Sequence, residues 1–408
     1  MQSGAAAGSG SAAAALSGRN DGSPGLDERP ESQENDSDGF SDISDSELLL
    51  LHDRAARGDE EEEKDKQMEH EIPSHGKLDV NAESAESLLQ YRTGDYVQRK
   101  RKQELEVPLE KYHLKYVTVT DVCSQTWCEQ QMVYRIEEPE PVRLEKTAAM
   151  NEGSSIHLAR ELEVHDVVSV ATQTREDSWA IKCLNILAMI PVLQSGGRIR
   201  EFPVFGELDG IYVVGVIDEL CYSSKGELEL RELKTRVSPT LPRAAQKKGH
   251  EFQVSLYKLL FDGMVSGVLQ PDVFIQQLKL RPEQELGPQV MEHATKSGLT
   301  VSTFRDVLEL TCLNLTFSDL PVIDSLKLEY CYQRDGSLLG YDVVSFEKEN
   351  IMEQLKFYLS FWKGLREVQG VDIEDAWKCT MCDYASTCEW RSQKSNNMHL
   401  CTQSKKWK

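Results

Sequence analysis

Near the end of this 408-residue chain stand Cys379, Cys382 and Cys388, in the run Cys-Thr-Met-Cys-Asp-Tyr-Ala-Ser-Thr-Cys. A gap of two residues followed by a gap of five presents three thiolates to one metal centre. A four-coordinate centre still lacks a ligand, and no second Cys-x-x-Cys pair lies nearby. The fourth ligand has to come from a distant segment. Any fold of this chain must therefore bring its C-terminal region back onto residues far upstream. Cys123, Cys128 and Cys401 are the candidates. Cys183, Cys221, Cys312 and Cys331 are expected to be free, buried thiols. With no basic-then-apolar leader at the N-terminus, ten cysteines point to metal binding rather than to a disulfide framework.

Charge divides the chain. Residues 1–75 hold 19 acids against 6 bases, and the formal net charge of the whole is −22. This Gly/Ser/Ala/Asp/Glu-rich stretch cannot bury enough apolar surface to offset its ordering entropy, so 1–75 is expected to be a disordered acidic tail. Leu48-Leu49-Leu50-Leu51 within it is either an incidental cluster or a short helix formed on a partner. Residues 76–114 read as a linker carrying the basic run Arg99-Lys100-Arg101-Lys102, which suits nuclear import, phosphate contact or a solvated helix. Residues 396–408 read as a basic C-terminal tail. No apolar run reaches the roughly 18 residues that a membrane helix needs. The first 50 residues carry two Arg, no Lys and ten acids, unlike a transit peptide. The expected location is the nucleus, with cytosol as well, and the expected state a monomer. Net acidity does not exclude a nucleic-acid partner, because fields act locally at ordinary salt.

A globular pattern runs from about 115 to 395. The periodicity predicts helices over 153–168 and 173–192, strands over Ile199–Glu207, Ile211–Tyr222 and Glu227–Arg236, and a helix at about 250–264. A hairpin follows, Leu326–Gln333 and Leu338–Phe346, and then a helix at about 347–367 with Ile351, Leu355, Leu359 and Trp362 on one stripe. Residues 281–300 read as an irregular insertion.

The chemistry gathers on the middle strands. Val214-Gly215-Val216-Ile217-Asp218 is an apolar strand ending in a carboxylate. After a glycine turn, Glu227–Lys234 alternates, so that Leu228, Leu230, Glu232 and Lys234 share one face. Pairing the two strands brings Asp218 beside Glu232. Two carboxylates with water and a phosphate make a Mg²⁺ site. Lys234 beside such a metal is expected to have its pKa lowered and to orient or deprotonate the attacking water. Such a set suits metal-assisted hydrolysis of a phosphodiester. Each fragment alone has a bland reading: a Glu–Lys pair at a hairpin end, a helical His157 in Gly-Ser-Ser-Ile-His, and Gln253 and Tyr257 packing one turn apart.

Taken in order, Gly-x-x-x-His, Asp, Glu-x-Lys, Gln-x-x-x-Tyr and the cysteine triplet resemble the iron–sulfur RecB-type branch of the PD-(D/E)xK nucleases, and among these its eukaryotic single-strand DNA exonucleases. The resemblance spans about 115–395. It implies an α/β fold with a restriction-endonuclease-like core, a central mixed sheet flanked by helices, closed by a C-terminal iron–sulfur segment. It implies Asp218 and Glu232 as Mg²⁺ ligands, Lys234 as the catalytic lysine, His157 as a ligand or close support, and Gln253 and Tyr257 near the substrate. It implies a [4Fe-4S] cluster on Cys128, Cys379, Cys382 and Cys388, with Cys123 the runner-up for the distant ligand and zinc the alternative metal. It further implies digestion of single-stranded DNA from both ends into short oligonucleotides, a role in DNA repair, and replication protein A as a partner. Arg243, Lys247 and Lys248, between the catalytic strand and the next helix, are candidates to line a strand channel, and residues 265–320 to cover it. A related enzyme acting on RNA, and a non-catalytic binding module with structural zinc, are the competing readings.

Overall fold

The computed structural model of the chain describes residues 106–137, 148–164 and 170–394. The tail 1–75, the Leu48–Leu51 patch, the basic run 99–102, His165, Cys401 and residues 396–408 lie outside that range. The described chain runs α1 (Pro108–Lys111), β1 (Val117–Thr118), α2 (Val119–Glu137), α3 (Ala148–Glu161), α4 (Arg175–Gln194), β2 (Ile199–Leu208), β3 (Ile211–Tyr222), β4 (Leu228–Arg236) and α5 (Ala244–Val265). Then come α6 (Pro271–Leu278), α7 (Pro288–Lys296), α8 (Phe304–Phe317), β5 (Ser325–Tyr332), β6 (Leu338–Val344), α9 (Lys348–Trp362) and a 3₁₀ segment, Ile373–Met381.

The strands make one mixed sheet in the order β1-β3-β4-β5-β6, with β2 paired to β3. β2 runs antiparallel along β3 from Ile199↔Leu220 to Leu208↔Ile211. A strand has two edges, so β1 and β4 share the other edge of β3. β1 takes its start, in parallel at Val213 and Val214. β4 takes its end, antiparallel from Glu219↔Arg231 to Tyr222↔Leu228. Beyond Arg231 β4 parts from β3, while its other edge pairs in parallel with β5 from Glu229↔Ser325 to Arg236↔Tyr332. Asp218 sits where the two strands part.

Helices cover both faces. Arg160 of α3 reaches Glu329 and Cys331, whereas His250 of α5 meets Tyr330. Strand alternation puts these neighbours on opposite sides of the sheet. α5 lies close on β3 because residue 215 is glycine. A Cβ there would stand 2.6 Å from Cε1 of Tyr257 and 2.9 Å from Cγ2 of Val119.

Several sequence expectations need correcting. α3 ends at Glu161, not 168. α5 starts at Ala244, because Arg243 and Gln246 form a backbone-anchored cap. Lys247 and Lys248 are therefore on the helix rather than in a connection before it. The supposed irregular insertion contains α7. Residues 265–320 fold into α6, α7 and α8. Phe274 of α6 packs edge-on against Trp179, Phe205 and Tyr212, six residues along β3 from Asp218. None of these three helices lines the cavities around Asp218 and Lys234.

The C-terminal return begins before the cysteines. Trp362, fully buried, donates its indole N–H to Gln125 Oε1 at 3.0 Å. Beyond α9, Arg366 grips Glu129 of α2 with both terminal nitrogens, at 2.6 and 2.5 Å, and the Gln369 amide adds a third donor at 2.9 Å. Glu129 is 4% exposed, so removing one partner strands a buried charge. Two outcomes follow. Glu129→Ala should lower unfolding stability by about 3–5 kcal/mol in urea titrations. Gly215→Ala, which forces Tyr257 off the sheet, should cost about 1–3 kcal/mol.

Candidate active site and metal centre

Asp218 is 7% exposed, and its Oδ2 accepts the backbone N–H of Leu233 at 2.8 Å. One hydrogen bond thus spans the fork just beyond the last β3–β4 pair. Leu233 lies between Glu232 and Lys234, which are 3% and 2% exposed. Nζ of Lys234 donates to Glu232 Oε1 at 3.2 Å. So the fork joins the carboxylate of one strand to the Glu-Leu-Lys run of the other, as the sequence implied.

A further acid comes into view. His157 Nδ1 lies 3.7 Å from Asp218 Oδ2. Ligand atoms of His157, Glu201 and Asp218 fall within 4.8 Å of one another, the arrangement that a cation could bridge. Glu201 was absent from the sequence reading. The β2–β3 register is unchanged on either side of it, Arg200↔Glu219 and Phe202↔Ile217, so Glu201 stands opposite Asp218. Its φ of 54° interrupts β2 at that point. The signal was available: counting outward from the Asp209-Gly210 turn pairs 201 with 218. Glu232 is not in this three-residue group; it stands beside Lys234 in the same fork.

The donor set fits a divalent cation. Carboxylate oxygens and one imidazole nitrogen gather at a partly buried point, and the chain's arginines there are already engaged elsewhere. Arg200 binds Glu219 through Nε and Nη2 at 2.9 and 2.8 Å, and Arg231 reaches Glu219 at 3.4 Å.

On the α5 side, Gln253 Nε2 donates to the Tyr257 hydroxyl at 2.9 Å. Gln253 and Lys234 line a common cavity of about 40 Å³. The Gln-x-x-x-Tyr pair is thus placed behind Lys234. Among the channel candidates, Lys247 is tied to Asp342 at 2.6 Å, Lys248 is exposed, and Arg243 caps α5.

Some distance along α2, Cys128, Cys379, Cys382 and Cys388 line one cavity, with Tyr134, Tyr384 and Trp390 around them. None of the four is in a disulfide. Cys128 has extended backbone, φ −165° and ψ 109°, in the middle of α2. The helix breaks there. Cys123, the runner-up, is buried and faces the Lys234 cavity instead. Burial pushes the Cys128 thiol up to about 11, and the nearness of Cys382, Cys379 and Cys388 adds to the rise. Burial likewise raises Cys379 and Cys382. Four cysteine sulfurs gathered around one cavity, none of them in a disulfide, fit a four-thiolate centre.

A family model described as "Exonuclease V - a 5' deoxyribonuclease" matches residues 107–231, 222–309 and 294–391. Exonuclease V of Danio rerio is 42% identical over 378 residues, covering 88% of this chain and 93% of that protein. The uncharacterized protein ORF95 of Ostreid herpesvirus 1 is 25% identical over 122 residues, 28% of this chain and 39% of that one. The crystal structure of SSO0001 aligns over 68% of this chain and 87% of its own at 13% identity and TM-score 0.30, too loose to speak for a common fold. By the reach of the family model and the identity with the zebrafish protein, the chain belongs to the exonuclease V family.

Proposed function

We propose that this member of a deoxyribonuclease family is a Mg²⁺-dependent exonuclease of single-stranded DNA. The fork at Asp218 carries the reading. A carboxylate at the parting of two strands, bonded to the amide between Glu232 and Lys234, gathers a hydrolytic set where a phosphodiester could be gripped. Asp218 and Glu232, with Glu201 and His157 beside them, would hold Mg²⁺. When bound, that cation supplies Lewis-acid polarisation of the phosphate and a water activated near neutral pH. Lys234, paired with Glu232, orients the water and meets the developing charge. Gln253 and Tyr257 steady the lysine from behind.

The proposal extends the family's 5′ description to digestion from both ends with short oligonucleotide products. It includes a [4Fe-4S] cluster on Cys128, Cys379, Cys382 and Cys388 that acts as a clasp, joining the C-terminal segment to α2. Action in DNA repair in the nucleus, alongside replication protein A, completes the proposal; these last points rest on the family resemblance.

Asp218→Asn and Lys234→Ala should each slow digestion of end-labelled single strands at least about a hundredfold. Asp218→Asn keeps an acceptor for the Leu233 amide and should leave the unfolding midpoint near wild type, whereas Lys234→Ala leaves the buried Glu232 carboxylate without its lysine and should lower it. Digestion by either variant at the wild-type rate would sink the proposal. Chelation by EDTA should abolish wild-type cleavage and added Mg²⁺ restore it. For the clasp, anaerobically purified wild-type protein should be brown and contain iron. Cys128→Ser and Cys388→Ser should lose that iron and lower the thermal midpoint by more than about 5 °C. Colourless wild-type protein containing zinc would instead favour the structural-zinc reading. Competition between DNA and RNA strands of equal length separates the two substrate classes.

A further inference from the structure

The cavity behind Lys234 lies away from the cation-binding group. It is lined by Thr120, Thr126, Lys234, Arg236, Gln246 and His250, among others, and shares no lining residue with the cavity of His157, Glu201 and Asp218. Among its lining residues are two cationic side chains and no carboxylate. It opens beneath the first turns of α5, a 22-residue helix, and Ala245 and Gln246 of the first turn form part of its wall. Such a terminus presents backbone N–H groups and the positive end of the helix dipole.

A second observation is independent of the helix. Thr120 is 7% exposed, and its Oγ1 is buried with no hydrogen-bond partner among the described residues. Thr120 is the second residue of α2, so no helical carbonyl four residues earlier is there to take its hydroxyl proton. A buried hydroxyl left this way costs stability unless something enters to bond it. Burial, with Lys234, Arg236 and Lys247 close by, pushes the His250 pKa well down, so the imidazole reaches the cavity neutral while its surroundings are positive.

We propose that this cavity binds a phosphate of the substrate strand other than the one being cut, held by the Thr120 hydroxyl, Arg236 and the α5 N-terminus. The site rests on the nuclease reading and deepens it: the strand is gripped on both sides of β4, at the cation group for cleavage and here for register. The cavity of about 40 Å³ has room for a few water-sized polar groups such as phosphate oxygens.

Two variants test it. Thr120→Val keeps the shape and removes the hydroxyl. A purely structural threonine would leave KM alone, and stability should hold or rise. Gln246→Glu keeps a side chain competent for the α5 cap but adds a negative charge at the cavity wall. We expect KM for a fluorescein-labelled dT oligonucleotide to rise roughly tenfold in each, with kcat within about twofold. The Gln246→Glu effect should shrink as salt is raised. KM unchanged in both variants, in protein whose Asp218→Asn form is inactive, would overturn this site and leave the nuclease reading standing. Wild-type protein that neither binds nor cuts the oligonucleotide would overturn both.

Discussion

Everything at the active site depends on a strand pair that stops early. β3 and β4 pair over four residues only, and the Asp218 carboxylate then takes the Leu233 amide in place of the next ladder bond. An ordinary hairpin would have continued and filled the space with backbone. Here β4 parts from β3 after Arg231 while staying paired with β5 on its other edge, β1 takes the other half of the β3 edge, and a gap opens between β1 and β4. A carboxylate that replaces a backbone acceptor is fixed in direction. The same bond sets Glu232 and Lys234, one residue to either side of Leu233, relative to Asp218.

The elements around the fork hold that gap. α5 approaches β3 through the missing side chain of Gly215, which seats Tyr257 and hence Gln253 behind Lys234. α2 enters directly from β1, with Asp121 capping its start by accepting the Thr118 amide and hydroxyl. The return of the chain onto α2 is locked by Arg366 on Glu129, and the four gathered cysteines lie just beyond it. Trp127, next to Cys128, stands edge-on to Trp377 at 5.6 Å under Lys378 and also lines the Lys234 cavity. The cavity of the four cysteines and that of Lys234 therefore meet at neighbouring residues of α2.

Much of this was legible in the sequence. The three middle strands fell within a residue of their predicted bounds because a period of two, glycine turns and the apolar run of β3 up to Asp218 all agree. Spacing left the triplet in want of a distant thiolate, and the family resemblance favoured Cys128 over Cys123; the helix break at Cys128, beside the triplet, is announced by no propensity. Glu201 was hidden because its left-handed backbone interrupts a strand that otherwise reads as regular; only counting register from Asp209-Gly210 finds it. The lock at Glu129 and Arg366 joins residues 237 apart, and long-range ion pairs leave no local pattern. Residues 265–320 were misplaced over the site, because apolar periodicity reveals a helix but not which core its apolar face seeks. Phe274 seeks Trp179 and Phe205.

The most direct test is anomalous diffraction from crystals of anaerobically prepared Lys234→Ala protein soaked in Mn²⁺, recorded at the manganese and iron edges. The account predicts a manganese peak at the fork, within about 2.5 Å of an Asp218 oxygen, and an iron peak enclosed by Cys128, Cys379, Cys382 and Cys388. Manganese absent from Asp218, or zinc in place of iron among the four cysteines, would contradict it.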